Sequence, residues 1–382
     1  MSSGQILVDQ QIKALLGSAG SAISVASIDG GGQPIKEEQI QPASLDLRLA
    51  KRAVRIRAGF LASATSIEER IEQLSEETFE LDQRGTVFER GSVYLVELEE
   101  RLALDEDLRG RFNPRSSTGR CDVFTRVLSE GHARFDETPT GYHGPLWLEI
   151  SPLSFSVRLK RGDSLTQVRL QRGTPALTTG ELVALYEKTP LAFGTHGALT
   201  GSEVIFDDAG GLLLSVGLAG RSPAGWRAKR EAPVLDFSSE AAHEVADFWE
   251  PIETPNGRAI LEPGDFYVFA SRERVCVPPT HAAEMLPVDV GIGELRNNYA
   301  GFFDSGFGWS NDGGENAGTP AVLEVRARDV PFLIEDGQIF FSLRYFHASG
   351  VPDKLYGQGR SGDSYRNQDL QLARTFRKPR NA

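Results

Sequence analysis

Residues 113–149, NPRSSTGRCDVFTRVLSEGHARFDETPTGYHGPLWLE, decide the fold because they join two unusual features in one stretch. The first is a cluster of arginines and serines: Arg115, Ser116, Ser117 and Arg120. The second is a single carboxylate, Glu149, inside the otherwise apolar run LWLEI. Guanidinium and hydroxyl donors at this density suit a bound anion, and a carboxylate in an apolar strand suits proton transfer. The stretch therefore predicts a functional site supported by β-strands.

Each feature also has a purely structural interpretation. The arginines and serines could hold a phosphate, but a capped helix start with solvated arginines fits the composition better. Glu149 could be a desolvated base or a glutamate on the wet face of an edge strand, and Trp147 on the same face leaves the two interpretations even. Asp136 could bond a sugar hydroxyl, although a carboxylate before a glycine turn more often caps that turn.

Length and composition predict a two-domain globular protein. The chain has 382 residues, of which 40% are apolar and 25% are charged, and this length exceeds one ordinary domain. No window is apolar enough for a membrane span, and the N-terminus lacks a signal-peptide pattern. Two cysteines favour a reducing, cytoplasmic location, and a net charge of −12 disfavours nucleic-acid binding.

Short strands and turns dominate the pattern, as 40 glycines and 20 prolines suggest. Leu45, Leu47 and Leu49 alternate with polar residues, which predicts a half-buried strand. Helical spacing predicts one helix over residues 5–17 and a second over residues 66–77, where Ser66 is placed to act as N-cap. The chain is therefore expected to be mainly β with a few short helices.

The second half of the chain repeats the first. Residues 264–269 resemble residues 91–96, and Leu323-Glu324 resembles Leu148-Glu149. The arginine–serine cluster has no second copy, which predicts a degenerate partner domain. We expect a catalytic domain at 1–200, a diverged copy at 201–350 and a polar tail at 351–382.

The tail has a Gly-rich polar segment, residues 354–368, which carries Tyr356, Tyr365 and Gln368. Such a segment cannot bury enough surface to fold alone, so it either orders over a ligand or stays disordered.

These motifs together resemble the dCTP deaminases of the dUTPase-like, trimeric all-β group. The resemblance covers most of residues 40–170 and residues 354–368. The motifs that carry it are Ala43–Leu49, Arg115-Ser116-Ser117-x-x-Arg120, Arg134-Phe135-Asp136, Gly141-Tyr142, Leu148-Glu149 and Tyr365-Arg366-Asn367-Gln368. It implies two tandem dUTPase-like distorted jelly-roll domains.

The resemblance also implies hydrolytic deamination of dCTP to dUTP and ammonia without zinc. Glu149 would activate water for attack on C4 and then protonate the leaving ammonia. The residues implied to contact substrate are Arg115, Ser116, Ser117, Arg120, Arg134, Asp136, Trp147, Leu148, Tyr356, Tyr365 and Gln368. Magnesium on the triphosphate, a homotrimer of two-domain chains and closure of the tail as a lid are also implied.

Two other functions stay open. A dUTP diphosphatase, or a bifunctional enzyme that forms dUMP, would use Asp136 to orient water at the α-phosphate. The second open function is that of a nucleotide-binding protein that has no catalytic activity. The chain departs from the family pattern by inserting residues 137–140, by placing Ser364 where lysine is common, and by keeping one complete motif set in a duplicated domain.

Overall fold

The computed structural model describes residues 4–17, 21–25, 33–288, 296–297, 301–310, 317–327, 329–358 and 368–377. Its strands in chain order are β1 (Gln5–Ile6), β2 (Leu16–Gly17), β3 (Ile23–Val25), β4 (Leu45–Leu47), β5 (Leu49–Ile56), β6 (Ser75–Glu80), β7 (Thr86–Phe88), β8 (Val93–Ala103), β9 (Leu108–Pro114), β10 (Val123–Ser129), β11 (His143–Pro152), β12 (Val157–Leu159), β13 (Thr166–Arg172), β14 (Ala192–Gly194), β15 (Gly197–Ala198), β16 (Gly211–Ser215), β17 (Gly225–Ala228), β18 (Leu235–Asp236), β19 (Trp249–Ile252), β20 (Arg258–Leu261), β21 (Phe266–Val275), β22 (His281–Pro287), β23 (Arg296–Asn297), β24 (Phe302–Phe303), β25 (Thr319–Arg326), β26 (Phe332–Glu335) and β27 (Ile339–His347).

The helices are short, in agreement with the predicted mainly β class. They are α1 (Asp9–Ala14), α2 (Ile67–Leu74), α3 (Ser116–Gly119), α4 (Thr179–Lys188) and α5 (Val245–Phe248), with 3-10 turns at Glu37–Gln39 and Gly201–Glu203. None of the helices within the described ranges is long and apolar enough to cross a membrane.

The chain divides into two compact units that are not contiguous in sequence. The first unit comprises residues 9–173, 230–247 and 373–382. The second unit comprises residues 1–8, 174–229 and 248–372. This division differs from the predicted boundaries at 200 and 350. Strand β18 pairs in parallel with β12, and residues 241–243 bond the main chain of residues 374–375, so segments from late in the sequence complete the first unit.

The site lies on one sheet of the first unit, where β11 runs between β10 and β8. The pairing of β11 is antiparallel on both sides, and β5 covers the other edge of β8. Helix α2 packs Ile67 and Ile71 against an apolar cluster on this sheet that includes Trp147. The central strand of the site is therefore held from both edges and on one face.

Three predicted elements differ from expectation: two helices are shorter, and one strand is more deeply buried. The helix predicted over 5–17 is limited to α1, because short strands flank it on both sides. The helix predicted over 66–77 ends at Leu74, and its Ser66 cap is confirmed by the bond from the Glu69 amide. The strand predicted to be half-buried is buried on both faces, since Arg48 pairs with the buried carboxylate of Glu100 at 2.7 Å.

The duplication is visible in the geometry of the two units. Glu149 lies opposite Leu95 on the neighbouring strand, and Glu324 lies opposite Val268. The hydroxyl of Tyr94 accepts the Glu89 amide at 2.9 Å, and the hydroxyl of Tyr267 accepts the Glu262 amide at 2.8 Å. Two copies of one domain explain these matched contacts, and tandem domains of the predicted class are confirmed.

Candidate active site

Glu149 is a buried carboxylate at the middle of β11. Its side chain is 3% exposed, and its strand partners are Arg126 on β10 and Leu95 on β8. Because β11 has a strand on each side, the interpretation of Glu149 as a residue on the wet face of an edge strand is wrong. A carboxylate in this position needs a charged partner, since an isolated buried charge is costly.

That partner is Arg126, which the sequence did not reveal. Its Nε and Nη2 atoms both donate to Oε1 of Glu149, at 3.0 and 2.5 Å. The guanidinium lies over the ring of Phe135 at 3.8 Å from the centroid and is also near Phe124. The other carboxylate oxygen of Glu149, Oε2, is buried and accepts no hydrogen bond. The two oxygens of Glu149 therefore have different surroundings.

The loop between β5 and α2 covers the second oxygen. A Cβ atom added at Gly59 would lie 2.3 Å from Oε2 of Glu149 and 2.9 Å from Nη2 of Arg126. This distance is shorter than a non-bonded carbon–oxygen contact, so an alanine here would force the Glu149 carboxylate or the loop to move. Within the described chain, residues 58–65 form no main-chain hydrogen bond, which leaves the cover held by packing.

Asp136 lies close to this pair in a strained backbone conformation. Its φ is 60°, a left-handed value that aspartate tolerates better than most residues. Its Oδ1 accepts the Val127 amide at 2.8 Å. Burial raises the pKa of Asp136 to about 7, the Val127 amide and the guanidiniums of Arg126 and Arg111 oppose that rise, and the Glu149 charge adds to it. Both structural and chemical roles remain compatible with this geometry.

Trp147 and Leu148 precede Glu149 on β11, with Trp147 on the same face of the strand as Glu149 and Leu148 on the other. The Trp147 ring is buried in the cluster under α2, with the Arg52 guanidinium 5.1 Å from its centroid. Leu148 is fully buried. The main chain here is paired with both β10 and β8, and the substrate contacts implied for Trp147 and Leu148 stay predictions.

The arginine–serine cluster folds as the start of α3. Arg115 precedes the helix, and its Nη2 lies 3.2 Å from the buried carboxylate of Asp46. Ser116 is exposed, whereas Ser117 and Arg120 are buried. Asp46 thus fixes the direction of one guanidinium beside an exposed hydroxyl. The predicted phosphate contacts of all four residues stay predictions.

The remaining predicted substrate contacts are an exposed arginine, two residues of the second unit and one residue outside the described ranges. Arg134 is largely exposed and pairs with Glu137 at 2.8 Å. Tyr356 packs on Phe307 in the second unit, and Gln368 donates to the Pro320 carbonyl at 2.9 Å in the same unit. Tyr365 lies outside the described residues. A lid role for the tail stays a prediction.

Comparison with known proteins assigns both halves of the chain. The model of the "2'-deoxycytidine 5'-triphosphate deaminase (DCD) N-terminal domain" matches residues 4–174, and that of the DCD C-terminal domain matches residues 179–376. The crystal structure of 2'-deoxycytidine 5'-triphosphate deaminase from Agrobacterium tumefaciens superposes with a TM-score of 0.81 and 40% identity, over 92% of this chain and 100% of that chain.

Two further relatives each match a little over a third of this chain. A dCTP deaminase of Natronomonas pharaonis is 30% identical over 134 residues, which is 35% of this chain and 66% of the relative, just under two thirds of its length. A "dCTP deaminase, dUMP-forming" of Halobacterium salinarum is 30% identical over 151 residues, 39% of this chain and 70% of the relative. The function that these matches support is dCTP deamination, as predicted, and the chain belongs to the dCTP deaminase family.

Proposed function

We propose that the first unit hydrolyses dCTP to dUTP and ammonia, with Glu149 as the group that moves protons. The observation that carries this proposal is a buried carboxylate with one oxygen held by Arg126 and the other free of hydrogen bonds. In this reaction Glu149 takes a proton from water as the oxygen bonds to C4 of cytosine. It returns a proton to the amino group as the C4–N4 bond breaks and ammonia leaves.

The triphosphate is placed at the arginine–serine cluster in this proposal. Arg115 supplies a fixed guanidinium, Ser116 supplies an exposed hydroxyl, and Ser117 and Arg120 lie beside them at α3. A guanidinium held by Asp46 is already oriented before the nucleotide arrives, which lowers the entropic cost of binding. Asp136 is proposed to contact the deoxyribose.

Magnesium is proposed to arrive on the triphosphate as part of the substrate. Among the residues that the structure describes, no group of three or more His, Cys, Asp and Glu side chains is placed to hold a metal ion. Phosphate oxygens are ordinary ligands of Mg²⁺, so the substrate itself can carry the cation. We further propose a cytoplasmic homotrimer of two-domain chains, which light scattering on the purified protein would test.

A second candidate, formation of dUMP from dCTP, is favoured by the relative from Halobacterium salinarum, which is named "dCTP deaminase, dUMP-forming". In that case water would also attack the triphosphate, and pyrophosphate would leave. Asp136 would orient the second water.

Reaction in ¹⁸O-labelled water tests both candidates through the nucleotide product. Simple deamination places one labelled oxygen on the uracil ring of dUTP. The bifunctional reaction yields dUMP and adds a second label to dUMP or to pyrophosphate. Unlabelled dCTP recovered after long incubation would contradict both candidates.

A further inference from the structure

We propose that Arg126 is a positioning residue that selects Oε2 of Glu149 as the oxygen that transfers protons. This inference rests on the proposed function, because it concerns the same carboxylate. Arg126 was not among the residues that the sequence patterns or the family resemblance singled out. Its contact with Glu149 exists because β10 and β11 place the two residues directly opposite each other.

The geometry of the pair is asymmetric. Both donors of Arg126 point at Oε1, whereas an arginine–carboxylate pair usually places one donor on each oxygen. Oε1 therefore has its lone pairs engaged by two charged donors. Oε2 is buried without any donor, so it is the oxygen with a free lone pair for an incoming proton.

Aromatic contacts fix the arginine in this arrangement. The guanidinium carbon lies 3.8 Å from the centroid of Phe135 and 5.2 Å from that of Phe124. Contact with two rings restricts the rotation of the planar guanidinium towards Oε2. A lysine ammonium would keep the positive charge, but it would lose the paired N–H donors of the guanidinium and its stacking on the aromatic rings.

The burial of Oε2 beside Gly59 agrees with the different roles proposed for the two oxygens of Glu149. Gly59 approaches Oε2 through its main chain, which offers no hydrogen bond to that oxygen in the structure. Oε2 is thereby shielded from bulk water and remains free of hydrogen bonds. A base in such surroundings keeps its reactivity for the substrate-bound water, since no donor has to be displaced.

The chain provides a matched control for this role. Arg161 pairs with Glu99 at 2.6 Å, with side-chain exposures of 28% and 4%, against 2.5 Å, 30% and 3% for Arg126 and Glu149. Both pairs lie in the first unit. Loss of either arginine removes a similar ion pair from a buried carboxylate, so similar structural damage is expected from the two substitutions.

The experiment compares Arg126→Ala and Arg161→Ala by kcat for ammonia release, dCTP dissociation constant and thermal midpoint. We expect Arg126→Ala to lower kcat by about 10²-fold through misorientation of the base, with dCTP affinity within about threefold. Arg161→Ala should keep kcat within about threefold. Methylguanidinium added to Arg126→Ala should restore part of the lost kcat, and Arg126→Lys should restore less activity than arginine.

Three results would overturn the inference. The first is a kcat of Arg126→Ala within threefold of the parent. The second is an equal loss of kcat in Arg161→Ala. The third is a loss in Arg126→Ala that methylguanidinium does not relieve although the variant is folded and binds dCTP. If the parent releases no ammonia from dCTP, the proposed function fails first, and this outcome is distinct from the other three.

Discussion

Two buried glutamates occupy equivalent positions in the two units, and their neighbours differ. Glu149 faces Leu95, and Glu324 faces Val268. In the first unit β10 also brings Arg126 directly opposite the carboxylate of Glu149. The arginine–serine cluster is also confined to the first copy. Both copies keep the strand that carries the glutamate. We infer that the residues around the carboxylate determine whether it can act as a base.

The largest effect is expected from Glu149→Gln, which removes the proton-transferring group. Turnover should fall by about 10²–10⁴-fold or more, because general acid–base catalysis accelerates a reaction by this factor. The dCTP affinity should stay within about tenfold of that of the parent. Steady-state ammonia release and equilibrium binding measure the two quantities. Glu324→Gln is the control and should be nearly silent. An equally damaging Glu324→Gln would show that the second unit also holds a working site.

Gly59→Ala should have the next largest effect. The added Cβ would overlap Oε2 of Glu149, so either the carboxylate or the loop must move. We expect kcat to fall by about 10²-fold, since misplacement by about 1 Å costs this much. Gly180→Ala in α4 meets no atom within 4 Å and should leave kcat unchanged. A Gly59→Ala enzyme of normal kcat would show that this loop does not cover Glu149 in the working enzyme.

Arg115→Ala should weaken binding more than chemistry. Loss of a charge-assisted contact to phosphate costs about 1.5–3 kcal/mol, so the dCTP dissociation constant should rise by roughly 10–100-fold. The effect should be smaller for deoxycytidine, which lacks the triphosphate. Isothermal titration with both compounds measures it. Equal losses for both would remove Arg115 from the triphosphate site.

The smallest effect concerns stability and Asp136. Its pKa of about 7 lies above the unfolded value of about 4. Between these values the folded state binds more protons than the unfolded state, so the contribution of Asp136 to stability falls as pH rises from 4 to 7. Asp136→Asn keeps an acceptor for the Val127 amide and cannot ionise.

Urea unfolding of the parent and of Asp136→Asn at pH 5 and pH 7 measures this contribution. The parent should lose stability relative to the variant over that interval, by at most about 1.4 kcal/mol per pH unit. A difference that is constant with pH would mean that Asp136 titrates outside this window. Urea unfolding of Glu324→Gln at the same two pH values provides a comparison, because this variant also loses a buried carboxyl group.

Much of the fold was predictable from local patterns. The apolar run along β11, the capping residues of α2 and the repeated Gly-x-x-Tyr segments are visible in neighbouring residues, so the mainly β class and the duplication followed from the sequence. The completion of the first unit by residues 230–247 was not predictable, because it depends on a strand paired across more than 70 positions, Val157 with Leu235.

Only those parts of the site that depend on neighbouring residues were predicted from the sequence. Glu149 and the arginine–serine cluster are conspicuous within one stretch. Arg126 and Gly59 became visible only in the folded chain, since their roles depend on strand register and on the approach of a loop. One signal was present: Arg126 is the only charged residue in VFTRVLS, the strand that leads into the hairpin towards Glu149.

The most direct test of Glu149 as the deaminating base is ammonia release from dCTP by metal-stripped protein that is re-supplied with magnesium alone. We expect ammonia in equal amount to the deaminated nucleotide, with dUTP as that nucleotide, and no ammonia release by Glu149→Gln. Absence of ammonia from dCTP, or undiminished release by Glu149→Gln, would contradict the assignment of the reaction to this carboxylate.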